Sequence, residues 1–271
     1  MVSAAQKMMI AEAPRCRNGI AARNLRKVYR LADGSSVEAL SDVSFQINQG
    51  EFATIVGPSG CGKSTLLKMV AGLLSKSEGE LTLDDVAIMG PRPDIGMVFQ
   101  APILLPWRTV MENVLLPIEF RRLPVKQFRE RAESLLATVG LAGFENRYPM
   151  ELSGGMQQRA AIVRALIQDP KILLMDEPFG ALDAMTREQM NLEVMRIWRE
   201  SGKTVLFVTH SISEAVFLAQ RVLVMSARPA RLSAVIDIDL PYPRDLDVIN
   251  TDQFGIYAGQ IRNLLNARGG L

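Results

Sequence analysis

The stretch GPSGCGKST (57–65) decides the fold, because it sets three glycines before a lysine and two hydroxyl residues. It follows the apolar run EFATIV (51–56), which predicts a buried strand, and it leads into KSTLLKMVAGLL (63–74), whose apolar residues recur at helical spacing. Glycines at positive φ let successive backbone N–H groups point into one concavity that holds phosphate oxygens. The start of the following helix favours the same negative charge. The stretch therefore predicts a phosphate-binding loop between a strand and a helix.

The whole loop is expected to contact a nucleotide. Its residues are Gly57, Pro58, Ser59, Gly60, Cys61, Gly62, Lys63, Ser64 and Thr65. We expect positive φ at Gly57, Gly60 and Gly62. Lys63 supplies positive charge for the outer phosphates, and the Ser64 hydroxyl is a ligand for Mg²⁺. Taken alone, the loop indicates a nucleoside triphosphate and leaves open a kinase, a GTPase or a motor.

Two adjacent carboxylates follow the apolar run KILLM, at the end of the predicted strand 171–176. Charged groups at the end of a buried strand are costly unless they are paired or bind a metal. We therefore assign Asp176 to the Mg²⁺ shell. Glu177 is expected to orient and deprotonate the water that attacks the γ-phosphate.

Two further polar residues end predicted strands. His210 is the only histidine of the chain and ends TVLFVTH (204–210), and Gln100 ends IGMVFQ (95–100). Ligands collect at the carboxyl ends of strands in open α/β sheets. We expect His210 to contact the γ-phosphate and the attacking water, and Gln100 to contact Mg²⁺ or water.

Strands alternate with helices in the second half of the chain. The strand 171–176 is followed by a predicted helix from 186 to 200, the strand 204–210, a helix over 212–219 and a strand over 221–226. This alternation is typical of βαβ units that share a parallel sheet.

The first half predicts a different organisation. Short apolar runs at 37–40 and 43–47 predict two strands, and a mainly helical segment follows over 109–168. Within it, Thr109 and Glu112 have the spacing of a capping box, and Pro117 is expected to kink or end that helix. A last amphipathic helix is predicted near 252–267.

Composition narrows the class of protein. The chain has 271 residues, a formal net charge of +2 and two cysteines. The near-balance of charge argues against a nucleic-acid partner. Two isolated thiols form no disulfide framework, which favours a reducing compartment. The absence of an apolar run of about 20 residues argues against a membrane-spanning helix.

A second predicted anion site lies in LSGGMQQR (152–159). Ser153 is a good N-cap, and Gly154 and Gly155 leave backbone amides uncovered at the start of a helix predicted over 156–168. This site belongs to a different element from the first.

With these motifs the chain resembles the ATP-binding subunits of ABC transporters. GPSGCGKST resembles their Walker A loop, LSGGMQQ their signature and ILLMDEP their Walker B strand with its catalytic glutamate, all in family order. The resemblance implies an α/β fold with a P-loop NTPase (RecA-like) core, an antiparallel β subdomain and an α-helical subdomain inserted at about 101–165. It divides the chain into a flexible tail (1–17), an ABC ATPase domain (18–240) and a linker with a C-terminal helix (241–271).

The resemblance also assigns roles to single residues. The catalytic residues are Glu177, His210 (the switch histidine) and Gln100 (the Q-loop). Beyond the phosphate loop, the nucleotide is expected to contact Tyr29, Ser153, Gly154, Gly155, Gln157 and Asp183. Tyr29 corresponds to an aromatic residue that stacks on adenine, and Asp183 ends the D-loop GALD (180–183). The implied cofactors are ATP and Mg²⁺, with the metal held by Ser64, Gln100 and Asp176.

The implied assembly is a head-to-tail homodimer in which each ATP lies between one phosphate loop and the signature of the other copy. A subgroup of the family, the nitrate, sulfonate and taurine importers, is similar over the whole length. The apolar stretch 101–114 is expected to dock two transmembrane permease subunits. A solute-binding protein would take part indirectly, and the chain would lie at the cytoplasmic face of the bacterial inner membrane. The alternatives are an exporter ATPase, a non-transport ABC ATPase and a module that binds nucleotide without hydrolysing it.

Overall fold

The computed structural model describes residues 18–180 and 182–266. Four strands form an antiparallel sheet: β1 (Asn18–Arg30), β2 (Ser36–Asn48), β4 (Glu78–Leu83) and β5 (Val86–Ala87). Their order in the sheet is β2-β1-β4-β5. Asp84 and Asp85 join β4 to β5 with φ of 49° and 62°, which gives the backbone of a tight hairpin turn.

A second sheet has six strands. They are β3 (Phe52–Val56), β6 (Ile95–Val98), β7 (Ile172–Asp176), β8 (Thr204–Thr209), β9 (Arg221–Met225) and β10 (Leu232–Asp237). Their order is β10-β9-β3-β8-β7-β6, and all neighbours are parallel except β9 and β10. The predicted α/β class with a parallel sheet is therefore confirmed. Strand β10 was not predicted from the sequence.

The helices pack on both faces of this sheet. They are α1 (Lys63–Val70), α2 (Val110–Phe120), α3 (Val125–Thr138), α4 (Gly154–Leu166), α5 (Ala184–Ser201), α6 (Ile212–Leu218) and α7 (Asp252–Asn266), with short 3₁₀ turns at Pro149–Glu151 and Leu246–Asn250. Alternate residues of each strand join separate cores: in β7, Leu173 and Met175 pack with α2–α7, whereas Ile172 and Leu174 pack with α1 and the antiparallel sheet. The carboxyl ends of β3, β7 and β8 therefore share one edge between the two cores.

Two local predictions were wrong, and a third was wrong in one of its two alternatives. The runs 37–40 and 43–47 belong to one strand, β2, because the chain bends at Asp42 with φ of 53° instead of turning back. The side chain of Asn24, itself at φ 47°, donates to Asp42 Oδ1 at 2.8 Å and holds this bend. Helix α1 ends at Val70 and does not reach 74. Helix α2 begins with the predicted capping box and continues three residues beyond Pro117, so this proline does not end the helix, and the expected kink stays a prediction.

The segment after β10 is fixed to α6 by a buried arginine. Arg244 Nη1 donates to the carbonyl oxygens of Val216, Phe217 and Ala219, each at 2.9 Å. Its guanidinium also stacks on Tyr242, at 4.0 Å from the ring centroid. A cation at the C-terminal end of a helix is stabilised by the helix dipole, so this contact joins α7 and its linker to the sheet.

Three predicted regions lie outside the described residues, namely the tail over 1–17, Ala181 of the predicted D-loop and residues 267–271 at the end of the predicted C-terminal segment. Within the part of the chain that the structure describes, none of the helices is long and apolar enough to span a bilayer.

Candidate functional site

The phosphate loop lies between β3 and α1, as predicted. Gly60 and Gly62 have positive φ, 72° and 125°, but Gly57 does not, so that part of the expectation was wrong. Gly57 is needed for space instead: a Cβ there would lie 3.0 Å from the carbonyl oxygen of Met225. A Cβ on Gly62 would lie 3.0 Å from Leu40 Cδ2. The loop therefore packs closely between β2 and the end of β9.

Lys63 is held inside this loop, with a side chain that is only 4% exposed. Its Nζ donates to the carbonyl oxygens of Gly57 at 2.9 Å and Pro58 at 3.1 Å, and it lies 3.7 Å from Glu177 Oε1. The ammonium group is thus already at the loop, where it can contact phosphate oxygens without a large rearrangement.

Ser64 and Asp176 supply hard oxygen ligands. Ser64 Oγ donates to Asp176 Oδ1 at 2.8 Å, and Asp176 is buried at the end of β7. Burial raises the pKa of the Asp176 carboxyl, the charge of Glu177 raises it further, and the hydrogen bond from Ser64 opposes both effects. A hydroxyl and one carboxylate suit Mg²⁺, which usually takes few protein ligands and completes its shell with phosphates and water. Among the described residues, no group of three His, Cys, Asp or Glu side chains could hold a metal without such help.

The side chains of Glu177 and His210 contact each other. His210 Nδ1 lies 3.0 Å from Glu177 Oε2, and the backbone N–H of Glu177 donates to the carbonyl oxygen of Val208 at 3.0 Å. Glu177 has φ of 44°, a conformation that non-glycine residues adopt at a cost and that is concentrated at functional sites. The carboxyl ends of β7 and β8 therefore bring together the proposed base and the proposed switch residue.

Tyr29 and Gln100 are placed near the site with fewer contacts. The hydroxyl of Tyr29 is 3.3 Å from Thr65 Oγ1, and Lys27 Nζ lies 5.2 Å from the Tyr29 ring centroid. Gln100 follows β6, next to β7, and is exposed. Within 18–180 and 182–266 its side chain makes no hydrogen bond. Its contact with Mg²⁺ or water stays a prediction.

The signature stretch forms the N-terminus of α4. Ser153 is the N-cap and its hydroxyl accepts from the backbone N–H of Met156 at 3.3 Å. Ser153 and Gly154 are exposed, and a Cβ added to Gly154 would meet no atom within 4 Å. Gln157 uses its side-chain amide within the loop, donating to the carbonyl oxygens of Pro149 at 2.9 Å and Leu152 at 3.3 Å. The exposed amides at this helix start can bind an anion.

Asp183 caps the start of α5. Oδ1 accepts from the backbone N–H of Thr186 at 2.9 Å, and Oδ2 accepts from its hydroxyl at 2.7 Å. These two hydrogen bonds lower the pKa of the Asp183 carboxyl. The predicted contact between Asp183 and nucleotide would therefore have to compete with, or add to, this cap.

Three residues near the site were missed by the sequence analysis. Arg228, in the segment after β9, donates from Nη2 to the carbonyl oxygen of Gly60 at 2.8 Å. Glu214 is buried on α6 behind His210, and Arg187 of α5 lies beside it, with Nε 3.5 Å from Glu214 Oε1. None of these residues lies in the motifs used to predict the site, so only the tertiary structure reveals that they are close to it.

An open groove of about 620 Å³ adjoins the stretch 101–114. Among its lining residues are Phe99, Ile103, Leu105, Phe120, Arg121 and Arg164. Ile103 and Phe120 are exposed, although both are large and apolar. Arg164 donates to the carbonyl oxygens of Pro102 at 2.7 Å and Ile103 at 2.6 Å, which fixes this wall of the groove to α4.

Comparison with known proteins identifies the family. Residues 40–180 match the family model described as ABC transporter. An uncharacterized ABC transporter ATP-binding protein of Methanocaldococcus jannaschii is 48% identical over 242 residues, which cover 89% of each chain. The chain belongs to the ABC transporter family. As a member of its ATP-binding proteins, it is an ATPase.

Two more comparisons describe the neighbours of this ABC ATPase. The aliphatic sulfonates import ATP-binding protein SsuB of Bacillus cereus is 46% identical over 77% of this chain and 82% of that protein. A dimeric ATP-binding cassette, solved in a post-hydrolysis state with ADP and Pi, has a TM-score of 0.73 and 34% identity, and the match covers 82% of this chain and all of that one. The predicted P-loop NTPase fold is thereby confirmed.

Proposed function

We propose that this ABC ATPase drives the import of a small sulfonated solute, or of a related anion such as nitrate, through two transmembrane permease subunits. The proposal that the chain hydrolyses ATP rests on the position of Glu177 at the phosphate loop. Its Oε1 lies 3.7 Å from Lys63 Nζ and its Oε2 lies 3.0 Å from His210 Nδ1. The importing direction and the solute class are supported by the similarity to the sulfonate importer ATPase of Bacillus cereus.

Each residue of the site has a separate role in the proposed hydrolysis of ATP. Glu177 Oε1 lies near Lys63 and Oε2 near His210, so the carboxylate is held on two sides and can accept a proton from a water in line with the γ-phosphate. Lys63 and the loop amides stabilise the charge that develops on the phosphate oxygens. Mg²⁺ held by Ser64 and Asp176, with Gln100 nearby, would add positive charge at the β- and γ-phosphates.

The nucleotide is proposed to join two copies of the chain. Each copy carries one enclosed phosphate loop and one exposed signature helix, and an anion bound by both would connect them head to tail. Tyr29 would stack on the adenine, and Ser153, Gly154, Gly155, Gln157 and Asp183 would approach from the other copy. The dimeric cassette with ADP and Pi supports this arrangement. ATP then favours the closed pair, and hydrolysis removes that preference.

The groove beside 101–114 is proposed to receive a short helix from each permease subunit. Its exposed apolar residues and its arginines suit an amphipathic helix with acidic side chains. On this proposal the ATPase lies at the cytoplasmic face of the plasma membrane, works indirectly with a solute-binding protein and has no nucleic-acid partner. We retain the division into 1–17, 18–240 with the inserted segment 101–165, and 241–271.

The hydrolytic part is tested by Glu177→Gln. Turnover should fall about 10²- to 10⁴-fold, because the amide cannot accept the proton, while the affinity for ATP is preserved. Glu188→Gln, on the surface of α5, is the control and should keep full turnover. Phosphate release measured at saturating ATP decides the matter, and unchanged turnover of the Glu177 variant would refute the assignment.

The solute class is tested in the cell. Deleting the coding sequence should abolish growth on an aliphatic sulfonate as sole sulfur source and spare growth on sulfate. Complementation with the wild-type chain should restore growth, and complementation with the Glu177→Gln variant should not. Normal growth of the deletion strain on sulfonates would redirect the proposal to nitrate or another solute.

A further inference from the structure

Helices α2 and α6 both begin with a hydroxyl residue followed three positions later by a glutamate, but the two glutamate side chains make different contacts. At α2, the Glu112 carboxylate accepts from the backbone N–H of Thr109 at 2.8 Å and completes a capping box. At α6, Ser211 and Glu214 have the same spacing, and Ser211 Oγ accepts from the Glu214 N–H at 3.3 Å. The backbone N–H of Ser211, however, donates to Thr209 Oγ1 at 2.9 Å, so the Glu214 carboxylate takes no part in the cap.

The Glu214 carboxylate is instead directed into the protein. Oε2 accepts a short hydrogen bond from the hydroxyl of Thr209, the residue before His210, and Oε1 faces Arg187 Nε at 3.5 Å. Glu214 is 7% exposed. Burial raises the pKa of this carboxyl, and the charges of Arg187 and His210 oppose the rise. A buried carboxylate is unfavourable unless it is paired, and here its partners are Thr209 and Arg187 rather than the backbone of the helix start.

Arg187 also contacts the segment that lies beside the signature stretch. Its Nη2 donates to the carbonyl oxygen of Leu182 at 3.0 Å. Leu182 in turn packs against the start of α4, where a Cβ added to Gly155 would lie 3.4 Å from Leu182 Cδ2. A series of neighbouring residues therefore runs from Gly155 through Leu182, Arg187 and Glu214 to the strand end that holds His210.

We propose that Arg187 and Glu214 are positioning residues that link the signature side of a chain to its own Glu177–His210 pair. The pair fixes the end of β8 relative to the segment before α5. A displacement of Leu182, such as contact with a second copy would cause, is then passed to His210 and Glu177. This inference rests on the proposed roles of Glu177 and His210 in hydrolysis, and it adds two residues that the family motifs quoted above do not contain.

The test separates catalytic positioning from a structural role. Glu214→Gln keeps the shape and an acceptor for Thr209 but removes the charge, and Arg187→Gln removes the partner. We expect each to lower kcat about five- to twentyfold, with KM for ATP and the calorimetric affinity for ATP changed less than twofold. Arg187→Lys, which keeps the charge, should restore part of the loss. Arg196→Gln is the matched control, because Arg196 lies on the same helix and pairs with the exposed Glu200 at 3.3 Å.

The double variant provides the decisive comparison. If the two residues act as one link, Glu214→Gln with Arg187→Gln should lower kcat no further than either single variant. A double variant whose loss of kcat equals the product of the two single losses would overturn the link. So would a kcat of the Arg187 variant within twofold of wild type, even if the Glu214 variant folds poorly. The Glu177→Gln variant is measured alongside. If it keeps full turnover, the proposed function fails; if it loses turnover while the Arg187 and Glu214 variants do not, only the link fails.

Discussion

The two anion-binding helix starts of this chain are built in opposite ways. At the start of α1, the phosphate loop is enclosed by its own chain, with Lys63 buried, Ser64 bonded to Asp176 and the Glu177–His210 pair beside them. At the start of α4, Ser153 and Gly154 are exposed. Both offer backbone amides to an anion. This difference supports the proposal that one chain supplies two unlike halves of a shared site rather than two complete sites.

The two halves also differ in how far they lower the stability of the fold. The phosphate-loop half contains Glu177 at φ 44° and the buried carboxylate of Asp176. Such conformations and buried charges are unfavourable and persist only where the surrounding structure enforces them. The signature half is an ordinary N-capped helix. Substitutions in the two halves should therefore separate binding, turnover and stability in different ways.

The largest expected effect is on nucleotide affinity in the enclosed half. Lys63→Ala should raise the dissociation constant for ATP about 10²-fold or more, because a buried charged contact to phosphate is lost. Titration calorimetry measures this. Lys68→Ala, in the last turn of the same helix and exposed, should bind ATP as wild type does. An affinity of the Lys63 variant within twofold of wild type would show that the loop does not use this charge.

An intermediate effect is expected on turnover in the exposed half. Gly154→Glu places a negative charge where the second anion contact is proposed, whereas Gly154→Gln adds the same shape without charge. We expect turnover of the Glu variant to be about 10- to 100-fold below that of the Gln variant. Its melting temperature should not fall, because an acidic residue in the first turn stabilises a helix by about 0.3–1 kcal/mol. Equal turnover of the two variants would remove the signature from the site.

The smallest expected effect concerns stability without nucleotide. Because the pKa of Asp176 is raised in the folded state, the folded protein binds its proton more readily than the unfolded chain does. Stability therefore falls as pH rises through the interval between the two values, and the charged form is unfavourable at pH 7. Asp176→Asn keeps an acceptor for Ser64 and should raise the melting temperature at pH 7 by roughly 2–4 °C, the response to about 1 kcal/mol in a protein of this size.

For a second carboxylate, that of Asp169, the expected change in melting temperature has the opposite sign. Hydrogen bonds from Lys203 and Arg131 lower the pKa of Asp169 on the surface, so Asp169→Asn should lower the melting temperature slightly. Scanning calorimetry at pH 5 and pH 7 compares the two variants. An Asp176 variant that melts below wild type at pH 7 would mean that this carboxylate stabilises the nucleotide-free fold.

The features that the sequence predicted correctly are those that depend on a few neighbouring residues. The phosphate loop, the capping box at Thr109 and the carboxylates at the end of β7 all lie within motifs of a few residues, and the structure places them as expected. Pro117 does not end α2, because the helix is held by packing: Val114 and Ile118 are fully buried on either side, which offsets one missing hydrogen bond. Local pattern did not contain that packing.

The parts that escaped prediction depend on distant partners. Arg228 contacts Gly60 across 168 residues of sequence. Glu214 has the spacing of a capping box, yet Thr209 and Arg187 take its carboxylate, because a tertiary contact replaced the local one. Gln157 and Asp183 were assigned from motif position alone, whereas in the structure their side chains hydrogen-bond within their own loops.

The central claim, that two copies complete each other's site, is tested most directly by sedimentation of the Glu177→Gln chain. The account predicts a monomer without nucleotide and a dimer with two bound ATP molecules at saturation, since hydrolysis is blocked. In the same background, Gly154→Glu should bind ATP with unchanged affinity and stay monomeric. A Glu177→Gln chain that remains monomeric at saturating ATP, together with wild-type turnover per chain that does not depend on protein concentration, would contradict the account.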